Sequence, residues 1–252
     1  MTLKTWATGA LIALLAAAAA FFALRGGGSF VAGDQPVSLP AGLDRVELEA
    51  VIEDYILEHP EIIPQAMERL QQREMLAAVS SVRSSVETPY AQGWAGAANP
   101  DVTVVQFFDY ACGYCRRSLG DIERLLDEDD GVRFVFRELP ILSPGSEQAA
   151  RVSLAAAEQG EYFAFHRAMY EAGRPSDATI SQAVRAAGLD QAAVQQARDS
   201  EAVTQELQSN MRLASQLGIN GTPVFVIGDE ILTGAVGYDR LKEAIEQARA
   251  ES

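Results

Sequence analysis

Val102-Thr-Val-Val-Gln-Phe-Phe-Asp-Tyr-Ala-Cys-Gly-Tyr-Cys115 is the stretch on which the fold turns. Residues 102 to 108 are β-branched and aromatic, bounded upstream by Asn99-Pro100, and predict a buried strand. After the cysteines, Leu119, Ile122, Leu125 and Leu126 recur at helical spacing until Asp127 to Gly131 close the pattern. Cys112 therefore stands where a helix begins. A helix N-terminus carries unpaired N–H groups and a partial positive charge, which favour thiolate over thiol and lower a cysteine below its free value of about 8.5. This predicts Cys112 as the nucleophile. Cys115, one turn further in, is expected to be less exposed and to resolve a mixed disulfide between Cys112 and a substrate. Gly113 lets a substrate chain come close, and Tyr114 offers a ring and hydroxyl beside the sulfur.

These are the only two cysteines in 252 residues, which excludes a multi-disulfide framework and any four-cysteine zinc or iron–sulfur site. A bridge across so short a loop adds little by loop-closure entropy, so a redox role outweighs a structural one. The same C-x-x-C spacing is half of a zinc site. The two histidines, His59 and His166, lie far off in sequence, so a tetrahedral site would need carboxylates or another subunit. No metal ligand is assigned, and no cofactor is expected beyond the redox-active disulfide itself. A net charge of −15, from 35 acidic and 20 basic residues, repels phosphate backbones and argues against nucleic acid as a partner.

Downstream, Val132 to Glu138 reads as a second strand, and the helix between the two makes a β-α-β unit with parallel strands. Residues from about 144 to 217 are helical in pattern, broken at Gly160, Gly173 to Pro175 and Gly188, and form an insertion without strands. Thr222 to Ile227 then reads as a strand introduced by Gly218 and Gly221. Gly228-Asp229 turns, Glu230 to Thr233 pairs back, and Tyr238 to Ala250 is a closing helix. The expected class is α/β, a thioredoxin-like fold with a helical insertion over residues 99–252.

Upstream, Thr5 to Leu24 is an uncharged Ala- and Leu-rich stretch between Lys4 and Arg25. It matches the roughly 20 apolar residues needed to span a bilayer and exceeds the usual core of a cleaved signal, so residues 1–25 read as a signal peptide or membrane anchor. Ala16 to Ala20 leave room for cleavage. Either way an extracytoplasmic, periplasmic setting is expected, with the protein inner-membrane anchored or soluble after cleavage. Residues 26–40, rich in glycine, serine and proline, read as a linker. From Asp44, Leu48, Val51, Ile52, Tyr55 and Ile56 share one helix face. Pro60 and Pro64 interrupt it, and a second helix begins near them. Its stripe runs through Ile63, Met67, Leu70, Met75, Val79, Val82 and Val86, with an end near Ser85. Such a stripe packs onto the main domain or meets copies of itself; a homo-oligomer through residues 41–88 is the sharper expectation.

Phe107-Phe-Asp-Tyr-Ala-Cys-Gly-Tyr-Cys115, Glu138-Leu-Pro-Ile-Leu, the helical insertion and Gly221-Thr-Pro-Val-Phe225 together resemble the DsbA family of thiol–disulfide oxidoreductases. Asp54-Tyr-Ile-Leu-Glu-His-Pro-Glu61 and Ala66-Met-Glu-Arg-Leu70 are similar to the N-terminal extension of its ScsC- and Com1-type members. The resemblance implies an enzyme that forms, reduces or isomerises disulfides in exported proteins, with cysteine-containing proteins as substrates and a membrane redox partner. It implies a cis bond between Thr222 and Pro223, opposite the cysteines, with Thr222 binding an extended substrate. Family members often carry an acid six residues before the first cysteine, to move the proton of the buried one; this chain has Gln106 there. Glu138 on the neighbouring strand, or water, is the alternative proton route. Two other functions fit the residues: a holding protein for unfolded clients, and Cu(I) binding by the two thiolates.

Overall fold

The computed structural model of the chain describes residues 44–251, in two units that divide between Ile63 and Pro64. The expected signal or anchor at 1–25 and the linker at 26–40 lie outside the described residues. Among the described residues no helix is long and apolar enough to cross a membrane.

The first unit is built on α1 (Arg45–Glu58). Asp44 caps it, its carboxylate accepting the Val46 N–H at 3.1 Å. His59 closes it with an N–H to the Tyr55 carbonyl, and Pro60 follows. No residue of α1 is buried; Val46, Val51, Ile52, Tyr55 and Leu57 all lie at the surface.

The second unit holds α2 (Ile62–Glu87) from Pro64 onward; Pro64 stands in the first turn of the helix, where a missing N–H costs nothing. Its apolar stripe divides in two. Met67, Leu70, Met75 and Leu76 are exposed, whereas Val79, Val82 and Val86 are buried against Val105, Phe107, Val135, Leu139, Val224 and Val226. The helix that read as a separate extension is thus, over its last turns, part of the domain core.

The sheet is mixed, in the order β1-β3-β2-β4-β5. β2 (Val102–Phe108) and β3 (Val132–Glu138) are parallel, joined through α3 (Gly113–Glu128). β4 (Val224–Ile227) pairs antiparallel with β2, and β5 (Glu230–Thr233) with β4. β1 (Trp94–Gly96) runs antiparallel to β3, so the sheet begins upstream of residue 99. Three residues are too few for a period-2 pattern to show in sequence. Gly96 is required there: at φ +101 a Cβ would sit 2.3 Å from the Val132 carbonyl oxygen.

Side-chain alternation along the strands gives the sheet two packed faces. One buries Val104, Phe108, Phe134, Phe136 and Phe225 with the inner side of α3 and the closing helix α9 (Tyr238–Ala250); the other is the α2 face. The insertion is α4 (Pro144–Glu158), α5 (Tyr162–Ala172), α6 (Asp177–Ala186), α7 (Gln191–Arg198) and α8 (Glu201–Gln216). A break at Asp199-Ser200, absent from the glycine and proline punctuation, separates the last two; Ser200 caps α8 through the Val203 N–H.

One buried cation secures α2. Arg137 of β3 donates to the carbonyls of Ser85 and Val86 at 2.5 and 3.1 Å and to that of Thr88, pairs with Glu206 at 2.6 Å, and reaches Asn210 Oδ1 at 3.1 Å. These carbonyls are the orphaned acceptors of a helix end, and a guanidinium satisfies several at once. Arg137→Ala strands Glu206 and those carbonyls, and is expected to lower unfolding stability by about 3–5 kcal/mol. Urea denaturation checks this; a loss below about 1 kcal/mol would mean that water replaces the cation.

Candidate active site

The site forms where β2 and β3 end level with each other, Phe108 beside Glu138. The chain leaves β2 through Asp109, whose buried carboxylate accepts three backbone N–H groups. Oδ1 takes Ala111 at 2.7 Å, and Oδ2 takes Ile141 and Leu142, both at 2.9 Å. The Asp109 carbonyl accepts the Cys112 N–H at 3.0 Å. Cys112 is thereby set as the N-cap of α3, in extended conformation at φ −80, ψ 116. Its thiol makes no N-cap hydrogen bond, and its sulfur lies at the end of the helix where the first N–H groups have no intrahelical partner.

Both thiols are free in this structure. Both are buried, Cys112 at 7% exposure and Cys115 at 1%. Burial alone pushes the Cys112 thiol up, but interaction with Thr222, the N–H and side chain of Cys115 and the Tyr114 N–H outweigh it, and the net shift is downward. Burial drives Cys115 far up, with the neighbouring Cys112 adding to the rise.

Thr222 stands opposite. Its carbonyl lies 3.2 Å from Cys112 Sγ, and the bond to Pro223 is cis, as the family resemblance implies. The Pro223 carbonyl in turn accepts the Gly234 N–H at 2.8 Å, tying this turn to the end of β5. Tyr114 is exposed with Arg117 stacked 4.4 Å over its ring. At Gly113 an added Cβ would meet nothing within 4 Å, so no internal contact demands glycine there.

The two candidate proton-relay residues are buried on the α3 side of the sheet, and neither is hydrogen-bonded to a cysteine. Gln106, beside Phe136 and Phe225 in register, has an unpartnered side-chain oxygen. Glu138 accepts from Ser153 at 2.6 Å and Tyr162 at 2.7 Å through one oxygen, and its other oxygen has no partner. Burial pushes its carboxyl up to about 7 despite those two bonds. Around it lies a group that spacing did not mark. Tyr110 bonds His166 Nδ1 at 3.1 Å, and Tyr170 donates to the Asp109 carbonyl at 3.3 Å. Burial holds His166 down at about 3, so its ring is neutral. His166, far from the cysteines in sequence, is brought by α5 to Tyr110, two residues before Cys112. Among the described residues no three His, Cys, Asp or Glu side chains converge as ligands.

The lowered Cys112 has a measurable consequence. In the reduced protein, thiolate absorbance should reveal one group titrating below the ordinary cysteine value. Alkylation at Cys112 should slow as pH falls through that point, because the thiolate is the reactive form. A single titration at or above the free value of about 8.5 in the Cys115→Ser variant would contradict the geometry.

Three comparisons bear on this arrangement. The model of the DSBA-like thioredoxin domain matches residues 103–246, and that of the copper resistance protein ScsC N-terminal domain matches residues 44–75. A thioredoxin-like oxidoreductase from Silicibacter pomeroyi DSS-3 is 41% identical, covering 68% of this chain and 99% of its own, with a TM-score of 0.63. ScsC from Proteus mirabilis in a transitional conformation is 27% identical over 84% of this chain and 99% of its own, with a TM-score of 0.64. Among curated proteins, the Na(+)/H(+) antiporter NhaA 3 of Salinispora tropica is 26% identical over 162 residues, 62% of this chain. The chain spans about a quarter of the length of such antiporter relatives, 24% in this case. The family match covers more than half of the chain and includes both cysteines, so this protein belongs to the DSBA-like thioredoxin domain family.

Proposed function

We propose that the protein exchanges disulfides with exported cysteine-containing proteins through Cys112 and Cys115. The observation that carries this reading is the pair of unequal thiols facing a cis Thr222-Pro223, with Cys112 Sγ 3.2 Å from the Thr222 carbonyl. In the reducing direction, the Cys112 thiolate attacks one sulfur of a substrate disulfide. A mixed disulfide forms and the other substrate sulfur leaves as thiolate. Cys115, deprotonated, then attacks Cys112 Sγ; the substrate departs as dithiol and the enzyme keeps the Cys112–Cys115 disulfide. Oxidation is the reverse; in isomerisation another thiolate of the same substrate attacks the mixed disulfide, forming a new substrate disulfide and releasing Cys112 as thiolate. Thr222 and Pro223 present backbone to the substrate strand beside the reacting sulfur. Tyr114, exposed and stacked on Arg117, borders the same face, where Gly113 leaves room for a close approach. A membrane redox partner resets the pair, and residues 1–25 carry the domain out of the cytoplasm as a cleaved signal or an anchor.

Deprotonating Cys115 requires an acceptor. An amide such as Gln106 does not titrate, whereas Glu138 near 7 exchanges a proton at physiological pH, and water connects it to the sulfur in this reading. Glu138→Gln is expected to move the resolution step to higher pH; an unchanged pH profile of Cys115 reactivity would remove Glu138 from the mechanism.

Self-association through residues 41–88 is supported by the unburied α1 and by the exposed Ile63, Met67 and Leu70. An oligomer presenting several active sites suits isomerisation of a misfolded client. Because Val79, Val82 and Val86 belong to the core, substitution is the sound test. Ile63→Ser, Met67→Ser and Leu70→Ser together are expected to reduce the sedimenting species to monomer; a monomeric parent would end this part of the reading.

The main experiment is a trap. Cys115→Ser should accumulate mixed disulfides with reduced, unfolded exported proteins in the presence of an oxidant, and Cys112→Ser should form none. Equal trapping by both variants, or client protection that survives Cys112→Ser, would favour a holding protein over an exchange enzyme.

A further inference from the structure

Along α3, Tyr114, Arg117 and Asp121 follow at spacings of three and four residues and so share one stripe of the helix. Together with Thr222, Gly234 and Ala235 they line an open cleft of about 490 Å3. The cleft adjoins the reactive sulfur, because the Thr222 carbonyl lies 3.2 Å from Cys112 Sγ. The Thr222 wall is held in place where the Pro223 carbonyl accepts the Gly234 N–H at 2.8 Å. The cation in the cleft is uncommitted. Among the described residues Arg117 pairs with no carboxylate, and its guanidinium lies 4.4 Å over the exposed Tyr114 ring. Arg124, two turns further along the same helix, is by contrast paired with Glu128 at 2.7 Å. In a chain of net charge −15, an arginine without a counter-ion beside the reacting atom runs against the charge of the whole. Nor is it spent on the thiol, since the main influences on Cys112 are burial, Thr222, Cys115 and Tyr114.

We propose that Arg117 selects clients carrying an acidic side chain two residues from the reacting cysteine, whose carboxylate enters the cleft between Tyr114 and Thr222. The inference rests on the exchange reading above and deepens it by naming a substrate class. Arg117 stands five residues beyond Cys112, about 7.5 Å along the helix axis. In an extended client, residues two apart point to the same side and lie about 6.6 Å from each other. A client sulfur bonded to Cys112 therefore brings the side chain two positions away within reach of the guanidinium. Stacking on Tyr114 fixes the plane of that guanidinium and leaves its N–H edge for a planar anion such as a carboxylate. Asp121 lines the same cleft one turn on, and its charge keeps an incoming carboxylate at the Tyr114 end, beside the sulfur. The net charge of the molecule opposes an acidic client everywhere else, so the preference is local to this cation.

The test uses the full reduced chain and three disulfides. One is a peptide with glutamate two residues to either side of its single cysteine, the second has glutamine at those places, and the third is neutral 2-hydroxyethyl disulfide. Each peptide cysteine is held as a mixed disulfide to pyridine-2-thiol, which leaves as a chromogenic thione when Cys112 bonds to the peptide sulfur. The parent is expected to react about fivefold faster with the glutamate peptide than with the glutamine one, equivalent to about 1 kcal/mol, the upper end for an exposed ion pair. Added salt should shrink that ratio. Arg117→Gln should bring it to about one or below, because only the repelling net charge remains. Arg117→Lys, which keeps the charge, should retain a preference for glutamate. Arg116 is exposed and turned about 100° around the helix, off the stripe; Arg116→Gln removes the same charge and should keep the full ratio. A parent that does not distinguish the peptides overturns the proposal, as does a ratio that survives Arg117→Gln. Equal loss in Arg116→Gln would assign the effect to the field of the whole molecule, and equal slowing of 2-hydroxyethyl disulfide by Arg117→Gln would assign it to the sulfur; either result also overturns it. A parent inert toward all three disulfides would instead sink the exchange reading.

Discussion

The carboxylate of Asp109 holds together the two loops from which the site is made. It binds the turn that leads to Cys112 and the loop that leaves β3, because both strands end at the same level and their following N–H groups point toward one buried acceptor. A carboxylate taking three backbone donors replaces the water that those donors would otherwise need. The start of α3, the position of Cys112 and the projection of Ile141 and Leu142 all follow from it.

From that anchoring comes the difference between the two thiols. Both cysteines belong to one turn of chain, yet one sulfur meets N–H groups and the Thr222 region while the other is enclosed by protein. The outer thiol shifts down and the inner one up, through opposite balances of hydrogen bonding and burial. Exchange chemistry needs this asymmetry: attack requires an available thiolate, whereas resolution is held back until the mixed disulfide has formed. Glu138 lies in the same interior, bonded to Ser153 and Tyr162 from the insertion. The helices inserted between β3 and β4 thus enclose a titratable group behind the cysteines as well as covering the sheet.

A second buried ion organises the other face. Arg137, one residue before Glu138, points to the opposite side and gathers the end of α2 with Glu206 and Asn210 of α8. The helix is then continuous from the core to its exposed turns, where Met67 and Leu70 lie uncovered. One stripe of apolar residues serves two purposes, because only its last turns meet the sheet.

Local chemistry was sufficient to read the strand 102–108, the helix beginning at Cys112, the parallel strand 132–138 and the hairpin of β4 and β5. Each is declared by periodicity, by β-branched or aromatic runs, or by glycine and proline breaks. The division of the α2 stripe was not legible, since residues at identical helical spacing differ only in what lies across from them. β1 was too short to show, and the break before α8 rests on a serine cap without glycine or proline. At the site, the sequence by itself placed Cys112 at the start of a helix and Cys115 one turn further in, because helical periodicity is read within a few turns of chain. Tertiary structure alone decided the rest: it brought Thr222 opposite Cys112, closed Tyr110 and His166 behind it, and aimed Asp109 at Ile141 and Leu142. Those are contacts between segments 32 to 110 residues apart, and no spacing rule along a chain encodes which distant backbone groups will share a buried acceptor.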